Sequence, residues 1–436
     1  MTVEQRPPSP RRQIVAWAFY DWANSAFATT IMAGFFPLFF KQYASADVEA
    51  TVSTFRLGLA NTCAGLVVAL LAPALGAIAD RGGSRKRFLI AFAVFGAALT
   101  AALATVGHGD WQRAWMFYVG ATIGFIGANV FYDSLIVDVA PPGRYERVSA
   151  LGFGLGYLGG GLLFTLDVAM TLRPRAFGLA DTGEAVRWSF LTVAAWWLVF
   201  SLPLLAWVRE RPLVHRERSF DAVVAGLRQL RATFRELRTL RTVALFLIAY
   251  WLYIDGVDTI ITMAVDYGLS IGLPQSALIT ALLITQFVGF PAAIAFGVIG
   301  TRIGPRNAIL IGIAVYILIT VWATQMTQAR DFYMLAVVVG LVQGGVQSLS
   351  RALYAQLIPP EKSGEFFGFY NMMGKFAAVL GPMLVGWTAL ISGSSRYAVL
   401  AIAILFVAGG LVLLRVKVPP QPAAAGRAGA VPAERS

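Results

Sequence analysis

Twelve apolar stretches follow one another along the chain, and each is long enough to form a helix across a lipid bilayer, which needs about 20 residues. The first six lie near 14–40, 54–79, 88–106, 113–138, 148–171 and 189–208. The second six lie near 242–265, 276–299, 306–326, 331–357, 364–392 and 396–415. This pattern predicts an all-α membrane protein with twelve transmembrane helices.

A polar interruption at 209–241 divides the spans into two sets of six. We predict a first six-helix bundle over 14–208 and a second over 242–415, with a cytoplasmic tail at 1–13 and a disordered tail at 416–436. The interruption holds nine arginines and is too polar to cross a bilayer. It is either a solvated linker or carries an amphipathic helix, near 220 to 238, that lies on the lipid headgroups.

The distribution of Lys and Arg predicts the orientation of the chain. If both termini are inside, the inner segments hold 25 of the 35 basic residues and the outer loops hold eight. The remaining two, Arg351 and Lys375, lie within spans. Because short cytoplasmic loops are enriched in Lys and Arg, we expect both termini in the cytoplasm.

The composition excludes several classes of function. The chain is 58% hydrophobic and only 13% charged, whereas soluble domains carry about 25% charged residues. Its net charge of +12 does not indicate nucleic-acid binding, because the bases lie in short loops. One cysteine, Cys63, and two histidines offer neither a disulfide nor a Cys/His metal site. Without a phosphate-binding loop or a Ser/His/Asp arrangement, we predict no enzyme activity and no cofactor.

Six charged residues lie well inside apolar spans, and they carry the functional prediction. Each costs roughly 2.5–3.5 kcal/mol at the bilayer centre unless it faces a polar path or finds a partner. They are Asp21, Asp133, Asp255, Asp258, Arg351 and Lys375. Such a set indicates transport, because a membrane scaffold would gain stability by losing these charges.

Helical spacing groups these charges with other polar side chains into a candidate pathway for substrate or protons. Asn24 shares a face with Asp21, Asn129 with Asp133, Asn371 with Lys375, and both Gln343 and Gln347 with Arg351. Asp255 and Asp258 are three residues apart, so their mutual repulsion favours proton binding. Alternatively, one of them pairs with Arg351 or Lys375. Arg351 either clamps a substrate carboxylate or closes the cytoplasmic side through Asp133 or Asp255. Asp167 is predicted to be interfacial.

A loop motif occurs twice. The loop after span 2 reads GAIADRGGSRKR, and the loop after span 8 reads GVIGTRIGPR at a constant offset. Thr301 of the second copy stands where the first has Asp80. We predict that the first copy is a conformational latch, with Asp80 pairing with an Arg or capping a helix. Its residues are Gly76, Asp80, Arg81, Gly83 and Arg85.

The first copy resembles the G-x-x-x-D-R-x-G-R-[KR] loop of the major facilitator superfamily. Four further stretches are similar to the branch of vacuolar amino-acid effluxers linked to autophagy and their bacterial relatives. They are FYDWANSAF at 19–27, VFYDSLIVDVAPPGRYERVSALGFGLGYLGGG at 130–161, LYIDGVDTI at 252–260 and QSLSR…GEFFGFYNMMGKFAAVLGP at 347–382. The resemblance implies a monomeric two-bundle transporter in a bacterial inner membrane that works by alternating access. It favours amino acids among small polar substrates.

Proton coupling through the acidic residues is expected if transport is coupled. A transporter of drugs or other metabolites is the alternative within this class, and a receptor or scaffold without turnover is the alternative outside it.

Overall fold

The computed structural model describes residues 11–82, 85–141, 143–210, 240–270, 274–326, 328–392 and 399–418. Twelve helical segments follow in the predicted order. The first six are α1 (Arg11–Ala44), α2 (Ala50–Gly82), α3 (Arg85–Ala102), α4 (Trp111–Ser134), α5 (Tyr145–Leu172) and α6 (Thr182–Trp207). The second six are α7 (Arg241–Ser270), α8 (Gln275–Ile303), α9 (Pro305–Ala323), α10 (Ala329–Leu357), α11 (Ser363–Ser392) and α12 (Ala401–Leu414).

The all-helical membrane fold is confirmed. Within the described residues, ten helices have the length and composition to cross a membrane. The two remaining segments are α11, which has 30 residues, and α12, which has 14. The described part of the first helix includes Arg11 and Arg12, which the sequence placed in the tail. The linker residues 211–239, Gly83 and the tail from 419 lie outside the described part.

Small residues hold the first six helices against the second six along two seams. In the α5–α8 seam, the Cα of Gly154 faces Ile294 and the Cα of Gly161 faces Gln286. In the α2–α11 seam, a Cβ on Gly368 would lie 2.6 Å from the backbone of Pro73. Glycine therefore lets the two helix backbones approach closely, and this close packing stabilises helix association in a bilayer, where the hydrophobic effect does not.

Helix α1 departs from regular α-helical geometry over two stretches. Phe27–Phe35 and Phe40–Ala44 are π-helical. Such segments are rare and occur often at functional sites, because the wider turn changes which way side chains point. The first stretch carries Thr29 and Thr30, and both are buried.

Candidate functional site

Arg351 joins the two sets of helices through a buried charge cluster. From α10, its Nη1 donates to Asp133 Oδ1 of α4 at 3.0 Å, and its Nη2 donates to Asp21 Oδ2 of α1 at 3.2 Å. Two more donations go to Ser149 of α5, from Nε to Oγ at 2.8 Å and from Nη2 to the carbonyl oxygen at 3.0 Å. The side chain of Arg351 is only 3% exposed. One cation therefore ties three first-half helices to the second half.

Aromatic rings pack around this cluster and reduce its contact with solvent. The guanidinium carbon of Arg351 lies 4.4 Å from the centre of the Phe153 ring and 4.8 Å from that of Trp17. Tyr132 also lies against it, and its hydroxyl donates to Asp21 Oδ2 at 2.8 Å. Cations favour the faces of aromatic rings, most strongly where both are desolvated. The surroundings therefore strengthen the ion pairs.

Gly152 makes room for this arrangement. A Cβ at that position would lie 2.6 Å from Asp21 Oδ2, 2.9 Å from the Tyr132 hydroxyl and 3.0 Å from Arg351 Nη2. Any side chain at this position would displace the bonded atoms. The glycine-rich stretch of span 5 thus has a local purpose, which is to let α5 pass beside the cluster.

Amides extend the cluster on the same side of the fold. Asn371 of α11 donates to Asp133 Oδ2 at 3.2 Å. Asn24 of α1 donates to Asn129 Oδ1 of α4 at 2.5 Å. The structure therefore brings Asp21, Asp133 and Asn371 into the Arg351 cluster, and it pairs Asn24 with Asn129 on the helices that carry the two carboxylates. With one cation and two carboxylates, an ionised cluster carries one excess negative charge.

A second charged group lies deeper along the helices. Lys375 is twelve residues into α11, or about 18 Å from its start at a rise of 1.5 Å per residue. Its Cβ is 4.0 Å from the position of a Cβ on Gly65 of α2. Its charge acts on Asp258 of α7. The side chains of Lys375 and Asp258 are both half-buried.

Asp255 does not pair with Arg351, which was one of the two partners that the sequence offered. It is fully buried, and its Oδ1 accepts from the backbone N–H of Gly381 at 3.0 Å and from Thr259 Oγ1 at 3.4 Å. Asp255 therefore fastens α7 to α11, whereas the charge that acts on Asp258 is that of Lys375.

Gln347 lies one helical turn before Arg351 on α10, and Gln343 lies two turns before it. Both glutamines are half-buried.

The sequence pattern did not identify Ser149 and Tyr132 as site residues, although Tyr132 directly precedes Asp133. It also missed Tyr250 and Tyr370, whose rings stack with centres 4.1 Å apart between α7 and α11. Aromatic residues in apolar spans resemble ordinary core, so only the bonded geometry separates them from packing.

The predicted latch loop contacts the opposite half. Asp80, at the end of α2, accepts from the backbone N–H groups of Gly364 and Glu365, both at 2.9 Å. It therefore caps the start of α11, where the helix dipole favours a negative charge. A Cβ on Gly76 would meet the Gly364 carbonyl, so this glycine also lies in the contact.

Arg85, the first residue of α3, bonds several side chains around the Asp80 cap. It pairs with Asp138 at 2.7 Å and with Asp80 at 3.7 Å, and it also donates to Ser363 Oγ at the start of α11. Asp138 is buried here. Arg81 is half-buried at the end of α2. We refer to this end of the fold, where α2 ends and α3 begins, as the basic end.

The chain resembles known proteins over most of its length. The family model described as "Vacuole effluxer Atg22 like" matches residues 48–142 and 140–424. The uncharacterized MFS-type transporter YxiO of Bacillus subtilis (strain 168) is 40% identical over 404 residues, which cover 92% of this chain and 94% of that protein. Autophagy-related protein 22 of Yarrowia lipolytica (strain CLIB 122 / E 150) is 27% identical over 290 residues, covering 60% and 48% respectively.

Solved structures share the fold at low sequence identity. The human organic anion transporter MFSD10 (TETRAN) superposes with a TM-score of 0.70 at 17% identity, over 94% of this chain and 100% of that one. The proton:xylose symporter XylE, a major facilitator superfamily protein, superposes with a TM-score of 0.66 at 14% identity, over 93% and 95%. At these identities the likeness shows the major facilitator fold alone.

Proposed function

We propose, from the premise that this chain belongs to the vacuole effluxer Atg22-like family of major facilitator transporters, that it is a secondary transporter of a small zwitterion such as an amino acid. The observation that carries the proposal is the Arg351 cluster, in which a second-half cation bonds two first-half carboxylates. A zwitterion carries the two groups that these residues would bind once separated. Its carboxylate matches the guanidinium fork, and its ammonium matches Asp21 or Asp133.

Exchange of partners supplies an alternating-access mechanism. In the described arrangement the cluster and the Asp80 cap hold the basic end closed. A substrate that engages Arg351 and a carboxylate replaces the bonds between the halves with bonds to itself. The charges then stay partnered while the helices separate, so opening avoids stranding a buried ion.

Charge balance supports proton coupling at the same cluster. One Arg351 faces Asp21 and Asp133, so binding one proton makes the ionised group neutral overall. A proton on either carboxylate also weakens its hold on Arg351 and favours separation of the halves. We therefore propose that protons and substrate act on one set of bonds. Lys375 and Asp258 lie deeper on the proposed path.

We further propose that the protein works as a monomer in the bacterial plasma membrane, with the basic end and both termini in the cytoplasm. The excess of Lys and Arg on the inner segments supports this orientation. Reporter fusions to the C-terminus test it. Activity of a reporter that folds only in the periplasm would overturn the orientation.

The test of transport is made in proteoliposomes. Purified protein is screened against labelled amino acids, sugars and organic anions, with and without an imposed pH gradient. We expect saturable movement of at least one amino acid, loss of that movement in Arg351→Ala, and retention in the exposed Arg330→Ala. Transport of uncharged or singly charged solutes with no response to amino acids would overturn the zwitterion assignment.

A further inference from the structure

A buried carboxylate outside the Arg351 cluster has no role in the proposed exchange. Asp167 of α5 was expected at the membrane interface, but it is completely buried between α1 and α6. Within the described part of the chain, no Lys, Arg or His forms an ion pair with it. A bare buried charge is costly enough that such groups usually become neutral.

The Thr192 hydroxyl next to Asp167 has two acceptors but only one hydrogen atom to donate. Thr192 Oγ1 lies 2.9 Å from Asp167 Oδ1 and 2.9 Å from the Ser189 carbonyl oxygen, but it has one hydrogen to give. A proton on Oδ1 removes this conflict, because Asp167 then donates to Thr192 while Thr192 donates to Ser189. The neutral acid therefore satisfies both contacts at once.

The second carboxylate oxygen faces another buried group. Asp167 Oδ2 and Thr30 Oγ1 have no hydrogen-bond partner in the described structure, although the Thr30 hydroxyl lies next to the carboxylate. Other buried threonines, such as Thr100, donate to a carbonyl of their own helix at 2.8 Å. Thr30 lies in the π-helical stretch, which turns its hydroxyl toward Asp167 instead.

We propose that Asp167 is a proton-binding site, held as a neutral acid by its hydrogen bond with Thr192 in this conformation, with the Thr30 hydroxyl beside its second oxygen. Among the described residues, the groups that the neighbouring elements present to it are uncharged: Thr30 from α1, and Thr192 and the Ser189 carbonyl from α6.

The site lies beside a contact between the two halves. Thr29, next to Thr30 on the π-helical stretch, accepts from Gln286 Nε2 of α8 at 3.0 Å. The same stretch therefore contacts Asp167 on one side and the second half on the other. Separation of the halves at Gln286 frees this stretch and opens a path for water to Asp167. The proton is released at that step, and its use in transport rests on the proposed function.

Infrared difference spectroscopy of the purified full chain tests the proton site without any substrate. The spectrum of the wild type minus that of Asp167→Asn should contain the carbonyl band of a protonated carboxylic acid, and this band should shift in D₂O. Asp110→Asn is the matched control, since Asp110 is paired with Arg113 at 3.1 Å and should give only carboxylate bands. Carboxylate bands alone in the Asp167→Asn difference would overturn the proposal.

A second variant keeps the test decisive if Asp167→Asn does not fold. Thr192→Val removes one bond to the acid, so the acid band should move to higher frequency. An unmoved band would contradict the geometry. Gln286→Ala should speed hydrogen–deuterium exchange of the acid roughly fivefold, the factor that one neutral hydrogen bond is worth. Thr165→Val, whose hydroxyl bonds only its own helix, should leave the exchange rate unchanged. A missing acid band overturns this site and leaves the zwitterion proposal standing.

Discussion

Replacing Arg351 with alanine is expected to release the basic end of the fold. The substitution removes the cation that bonds Asp21 and Asp133, and it leaves both carboxylates in a site where their side chains are 12% exposed. Removing one partner of a buried ion pair costs about 3–5 kcal/mol. We expect the lower end, about 3 kcal/mol, because Asp21 keeps its bond from Tyr132 and Asp133 keeps its bond from Asn371.

This cost falls on the closed arrangement, because separated halves leave the carboxylates in water. A difference of 3 kcal/mol corresponds to a shift of about 150-fold in a conformational equilibrium. The shift is measured through a buried cysteine. Ser348→Cys, in a Cys63→Ser background, places a thiol at a fully buried position of α10 beside the interface. Its alkylation rate should rise by about two orders of magnitude in Arg351→Ala.

Two comparisons make the result interpretable. Arg330→Ala removes an exposed arginine of the same helix and should change the alkylation rate by less than about twofold, as surface substitutions do. Combining Arg351→Leu with Asp21→Asn and Asp133→Asn removes all three charges and should restore thermal stability. Unchanged alkylation and stability in a folded Arg351→Ala protein would refute the role of this cluster in closure.

Three further predictions concern the seam between α2 and α11. Asp80→Asn should lose about 1 kcal/mol of capping and shift the protein toward an open basic end, while equilibrium substrate affinity measured by calorimetry stays within a few-fold. Gly76→Ala should destabilise the closed state by roughly 1–3 kcal/mol through its clash with α11, whereas Gly58→Ala, in open space on the same helix, should raise thermal stability. Lys375→Ala should abolish uptake in liposomes. Adding Asp258→Asn should restore stability but not uptake, and wild-type uptake in Lys375→Ala would exclude Lys375 from the path.

Helix order and latch position could be predicted from the sequence because both depend on local patterns. Apolar length identifies a span, and the repeated loop indicates where the halves correspond. The sequence predicted that Asp80 pairs with an arginine or caps a helix, but it did not identify which helix. That Asp80 caps α11, 284 residues away, depends on packing between helices and has no local signature.

The partner of Arg351 illustrates the limit. Spacing offered Asp133 and Asp255, and the structure shows Asp133 together with Asp21. Asp255 instead accepts a hydrogen bond from a backbone N–H of α11. A contact with the backbone cannot be predicted from the spacing of side chains. The burial of Asp167 was not predicted, because distance from the end of a span indicates depth but not which neighbouring helices cover a side chain. Whether a side chain at a given depth is buried depends on how its helix is rotated about its own axis, and the sequence alone does not define that rotation.

The direction of the bonds between the halves has an electrical consequence. Among the hydrogen bonds seen within the described residues, the carboxylates bonded across the interface belong to the first half: Asp21, Asp80, Asp133 and Glu146. Their donors are Arg351, Asn371, Gln356 and the N–H groups that begin α11, all from the second half. The first-half face of this interface therefore bonds through these four carboxylates and through Arg85, which donates to Ser363, whereas Arg351 is the charged donor of the second-half face. If the halves separate as proposed, a dipolar solute that enters the gap meets an excess of negative charge on one side and a cation on the other.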